Sequence, residues 1–171
     1  MRRSLAMLVL TALAPILSVQ ASARAQGRSL DALARVQSVD PLELARVVEQ
    51  LGDDAVLAGL GAIGGGATEL PVLLATVRAA PWLRAPEAAL PRLAELAGGR
   101  DPDLAPAAML AIVRIAERLS REELDRREAS DEPVRAALPA LAALADDDAA
   151  RADLRRAAGR ARELLRAIVE G

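Results

Sequence analysis

The chain repeats itself, and nothing else in it restricts the fold as much. Residues 88–97 read Ala-Ala-Leu-Pro-Arg-Leu-Ala-Glu-Leu-Ala, and residues 136–145 read Ala-Ala-Leu-Pro-Ala-Leu-Ala-Ala-Leu-Ala, the same string 48 positions later (136 against 88). A weaker copy, Leu70-Pro71-Val72-Leu73-Leu74-Ala75, stands upstream. A period of roughly 30–50 residues built on leucine and alanine marks stacked helical units, none of which can bury its apolar face alone. Apolar spacing elsewhere is helical, with no β-branched run alternating at period two. The expectation is an all-α stack of antiparallel helix pairs.

Helix boundaries are written into the same stretch. Asp40-Pro41-Leu42-Glu43 offers a cap, a proline in the first turn and a glutamate at the third position; Asp101-Pro102-Asp103 repeats the device, and Ser120-Arg121-Glu122-Glu123 is a further capping box. Gly52, Gly64-Gly65-Gly66 and Gly98-Gly99 supply stops. These marks predict helices near 28–37, 41–51, 54–63, 67–79, 86–98, 103–119, 132–145 and 150–169, with a short connecting helix after Ser120. Over 103–119 the residues Leu104, Ala108, Ala111, Ile112, Ile115 and Leu119 share one wide arc, as an inner helix with several neighbours requires.

The first 25 residues are a separate object. Arg2 and Arg3 precede an apolar run from Leu5 to Val19, and Ala21-Ser22-Ala23 and Ala23-Arg24-Ala25 are overlapping small-residue cleavage signals. Together they predict a secretory signal peptide over 1–25, cut after Ala23 or Ala25. The run contains Pro15 and falls short of the ~20 residues that span a bilayer. The expected destination is the bacterial periplasm or the medium. Residues 26–171 then form one domain with 19 arginines against 24 acids, a net charge of −5 (22 − 3 arginines; no acid lies in 1–25). That sign is unsuited to general binding of nucleic acid or anionic lipid.

The stretch Ala58-Gly59-Leu60-Gly61-Ala62-Ile63-Gly64, followed by Leu70-Pro71-Val72-Leu73, resembles the HEAT repeat, in particular its bacterial HEAT-like form. Residues 86–119 resemble one complete repeat, with its turn at Asp101-Pro102-Asp103; residues 132–169 resemble another, with its turn at Asp146-Asp147-Asp148. The arginine usual early in the second helix of a repeat is matched by Arg155, whereas the earlier copy has Ala105. The pair opened by Leu70-Pro71 lacks a clear second helix, because Pro81 and Pro86 enclose only four residues. The resemblance implies a short α-solenoid of armadillo type. It also implies a non-catalytic role: protein–protein binding on a curved surface.

Candidate chemistry is sparse. His and Cys are absent, which removes the commonest general base, the thiol nucleophile and the usual transition-metal ligands. No serine sits in a nucleophile-elbow motif, and there is no lysine to activate one. The run Asp146-Asp147-Asp148 lacks the glycine and glutamate of a calcium loop, holding Arg151 and Ala157 there, and Gly61 to Gly66 is followed by no Gly-Lys-Ser/Thr. Neither enzyme, cofactor nor metal site is expected. Two features remain as partner-binding candidates. Arg151, Arg155, Arg162 and Arg166 fall within roughly 60° of arc at about 100° per residue, a stripe suited to an acidic partner or to a soluble end-cap. Trp82, the one aromatic residue, is either packed against a helix or an interface anchor. The function expected is an interaction scaffold; self-association into an envelope structure and service as an accessory subunit of an enzyme are the alternatives.

Overall fold

The computed structural model describes residues 41–64 and 69–171. The predicted signal peptide, the helix expected at 28–37 and the cap at Asp40 lie outside the described residues. Among the latter there are eight α-helices and no strand: α1 Pro41–Leu51, α2 Asp53–Ala62, α3 Leu70–Ala79, α4 Leu90–Ala97, α5 Leu104–Arg118, α6 Arg121–Arg126, α7 Glu132–Asp146 and α8 Ala152–Glu170. Two 3-10 turns, Ala80–Trp82 and Pro86–Ala89, join α3 to α4.

The boundaries have local causes. Between α1 and α2, Gly52 takes φ +80°, a left-handed conformation that glycine adopts without penalty, and its N–H closes α1 on the Val48 carbonyl at 2.9 Å. Asp101 caps α5 through its carboxylate, which accepts the N–H groups of Leu104 (2.8 Å) and Asp103 (3.0 Å). Ser120 accepts the Glu123 N–H at 3.1 Å and opens α6 as its capping box predicts. α6 ends on Glu128 at φ +52°, with Ala129 N–H on the Leu124 carbonyl and Glu128 N–H on Asp125. That is a Schellman closure in which glutamate occupies the place glycine prefers.

Helices pack in two rows. α4 lies against α5 and α7 against α8 as antiparallel pairs; α4 also lies along α7, and α5 along α8. α3 packs chiefly on α5 and α2, and α2 reaches α4 and the turn before it. One row is therefore α2, α4, α7, and the other α3, α5, α8. This corrects the reading of Leu70-Pro71 as the opening of a first-row helix whose partner is missing. α3 is the second member of the pair α2/α3, and the residues from Ala80 to Ala89 are the link to the next pair. A proline in the first turn marks where a helix starts but not the row it joins.

The core runs the length of both rows. Leu60, Leu90, Leu93, Met109, Ile112, Ile115, Leu124, Leu141 and Leu165 are fully buried. Small residues between them, including Ala108, Ala111, Ala158 and Ala161, let helix axes approach closely, which replaces the contact area that aromatic side chains supply in other cores.

Candidate interaction surface

The four arginines of the predicted stripe lie at the open end of the second row. Their setting follows from comparing α8 with α5 at an offset of 50. Leu104, Ala108, Ala111 and Ile115 correspond to Leu154, Ala158, Ala161 and Leu165, and all eight are buried. On the flank beside them, Ala105, Ile112 and Ala116 are buried in α5, and the matching residues of α8 are Arg155, Arg162 and Arg166. α5 has α3 on one side and α8 on the other. On α8, Arg160 reaches back to Glu117 of α5 at 2.6 Å and lies on the far side of the helix from Arg155 and Arg162. The arginine flank therefore points away from α5, to where a further helix of the row would pack.

Each of the four has an acidic partner nearby. Arg151 pairs with Asp153 (2.8 Å), Arg155 with Asp148 (2.6 Å), Arg162 with Asp146 (3.9 Å) and Arg166 with Glu170 (3.2 Å). The Asp146–Asp148 run is thus engaged: its outer carboxylates hold arginines, and Asp147 accepts the Ala149 N–H at 2.9 Å. It does not cap α8, whose N-cap is Arg151 with no side-chain cap bond. The Arg151 hydrogen bond, followed by its charge, holds the Asp153 carboxyl below the ordinary value of 3.8. Exposed pairs of this kind add little stability because solvent screens them. Their main effect is to neutralise the flank while the arginine stems cover its apolar edge. Arg151 alone also borders a groove of about 560 Å³ between the turns at 98–102 and 147–151.

Trp82 sits at the other end of the molecule. It is half-buried against the core, and the Arg118 guanidinium lies 4.9 Å from its ring centroid, with Arg118 Nη1 donating to the Pro81 carbonyl at 3.1 Å. Its indole N–H is buried without a hydrogen-bond partner among the described residues. With Ala45, Val48 and Leu51 it lines a groove of about 610 Å³ bordered by Glu49, Asp53 and Asp54. Asp53 accepts the N–H groups of Arg84 (3.2 Å) and Ala85 (3.1 Å), which pins the link beside α2.

Sequence reasoning missed two polar clasps. Glu87, only 4% exposed, is held in a fork by Arg127 through Nη1 (3.2 Å) and Nη2 (3.0 Å), and Arg127 Nη1 also donates to the Arg84 carbonyl at 2.7 Å. Arg92 donates from Nε to the Leu60 carbonyl at 3.1 Å and from Nη2 to Ile63, satisfying carbonyls at the end of α2. Partners 29 to 43 positions apart leave no local signal in a single sequence.

The second-row face carries a further groove of about 240 Å³ between α3 and α5. Arg78 and Arg114 border it, and Pro81, Pro106, Ala107, Leu110 and Ala111 line it, with Asp103 near one end. Leu110 is 51% exposed. Among the described residues, no helix is long and apolar enough to cross a membrane. Comparison of the chain with protein-family models, curated proteins and solved structures finds no match in any of the three.

Proposed function

We propose that this chain is a non-catalytic, HEAT-like scaffold, exported from a bacterial cell, whose stacked helix pairs hold a protein partner on their surface. The observation that carries the reading is the two-row packing: α4 on α7 and α5 on α8 repeat one contact pattern, on the same strings that resemble the family. Such packing leaves a broad face of each row in solvent, built on rigid helices, and presents side chains at fixed spacing. The sequence side agrees, since a chain without His or Cys lacks the usual acid–base and nucleophilic groups. The arginine flank of α8 weighs against end-to-end self-assembly as the working state, because it puts charge where the inner helix has apolar contacts.

The test is a crosslinked pull-down of the tagged chain from its native envelope and medium. A defined partner, recovered in constant ratio, is the expected result. Recovery of this chain alone would replace the scaffold with a self-assembling component.

A further inference from the structure

We propose that the groove between α3 and α5 docks an acidic segment of the partner protein, one that carries a bulky aliphatic residue between carboxylates. This rests on the scaffold reading and assigns it a site and a partner chemistry.

The floor of the groove is apolar at a place where the fold does not require it. Leu110 stands half in solvent at the middle of α5, the helix with neighbours on both sides. Its counterpart 50 residues on is Arg160, which is also exposed but charged and ion-paired. Leu110 is joined by Pro106, Ala107 and Pro81 into one continuous lining. A single exposed leucine means little, but an apolar strip bordered by charge is the pattern of a contact site. Its volume of about 240 Å³ is below the ~300–1,000 Å³ of small-molecule pockets and suits one bulky aliphatic side chain.

The charge at the border is unspent. Over the described residues acids outnumber arginines by 22 to 17, and arginines elsewhere are mostly taken up in ion pairs. Arg78 and Arg114 nevertheless have no acidic partner within 4.0 Å among the described residues. One comes from each helix, so they face the strip from opposite sides. Arg156 of α8 is likewise unpaired and lies one turn before Arg160, on the side of α8 that meets α5; it continues the basic track into the next helix. Asp103 is the acid of the lining, and it sits just before the first turn of α5, about two turns from Leu110. Guanidinium forks bind carboxylates in pairs, so the spacing selects acid–aliphatic–acid rather than either property alone. No aromatic platform is present in the lining, which favours a peptide over single-stranded nucleic acid.

The experiment measures fluorescence anisotropy of the full chain with a fluorescein-labelled peptide alternating glutamate pairs and leucines, beside its glutamine analogue and an oligouridylate. The acidic peptide is expected to bind, and the analogue to bind at least about tenfold more weakly. The doubly substituted R78E/R114E chain and, separately, L110D should each lose about tenfold or more, whereas R155A/R162A/R166A stays within about twofold. Helical circular dichroism checks that each variant is folded; the milder R78Q/R114Q replaces any that is not. Binding retained by R78E/R114E overturns this site, and if the pull-down still yields a partner the scaffold reading stands without it. Equal binding of the glutamine analogue or the oligouridylate, or a change in sedimentation of the unliganded R78E/R114E chain that shows a second copy in the groove, also overturns it.

Discussion

α4 and α7 contain the same leucine–alanine string and experience it differently. In α4, Ala89, Leu90, Leu93, Ala94 and Ala97 are all buried at or just before the helix; at the matching places along α7, Ala137 and Leu141 stay buried but Leu138, Ala142 and Ala145 are only partly covered. α4 has α2 with its turn on one side and α7 on the other, whereas no described helix continues the row beyond α7. The proline of the string differs too. Pro91 lies in the first turn of α4, where its missing N–H is one the helix leaves unpaired in any case. Pro139 lies inside α7 on its exposed side, so the carbonyl left without a helical partner can be hydrated. The difference teaches that place in the stack, not the string, sets how much each residue stabilises.

The sharpest way to break that comparison is a matched pair of truncations. Leu90→Ala should lower the unfolding free energy by about 3 kcal/mol, and Leu138→Ala by roughly half as much or less, read from urea midpoints. Equal losses would mean that the two helices are equally enclosed. Next comes the end of the second row. Replacing the outer residues by their inner equivalents, R155A/R162I/R166A, exposes an apolar flank, and sedimentation should then show reversible self-association absent from the unsubstituted chain. A variant that stays monomeric at high concentration would leave the arginines no role in closing that end.

Smaller effects sharpen the picture between the two pairs. Glu128→Gly relieves a left-handed residue at the end of α6 and should raise stability by about 1 kcal/mol, seen as a higher thermal midpoint; a lower one would show that the Glu128 side chain matters more than its backbone. Smallest is the acid response. Asp131, lowered chiefly by its hydrogen bond from Arg135, and Asp153, lowered chiefly by Arg151, lie at the starts of α7 and α8. A carboxyl depressed on folding adds stability that is present above its ordinary value of 3.8 and is lost as pH falls through the lower folded value. Both groups are exposed, so Asp131→Asn with Asp153→Asn should lower the melting temperature only slightly at neutral pH, and the difference from the unsubstituted chain should close as pH falls below 3.8.

What was legible followed the range of each interaction. Ser120 and Asp101 announce α6 and α5 because a cap spans three residues. The apolar arc of 104–119 showed that α5 is an inner helix because burial on several sides leaves a wide stripe. The row of α3 was not legible, since Leu70-Pro71 starts a helix equally well in either row and only the packing against α5 decides it. The arginine stripe was visible as an arc, but its bearing needed Arg160 and Glu117 to show which side of α8 meets the stack. The groove by Leu110 escaped because its border comes from two helices that are separated by two 3-10 turns and a third helix.

The exchange of Ala105, Ile112 and Ala116 for Arg155, Arg162 and Arg166 bears on how a chain of this kind changes length. A helix pair appended after Gly171 would have to settle on guanidinium groups already matched to acids, and would find little to hold it. A pair inserted between α6 and α7 would meet Ala105, Ile112 and Ala116 on one side and hand on the same apolar flank to α8 on the other. Insertion of a pair before α7 is therefore compatible with this surface, whereas a helix seated directly on the α8 flank would have to displace its ion pairs. α8 would keep its charged flank however many pairs were inserted before it.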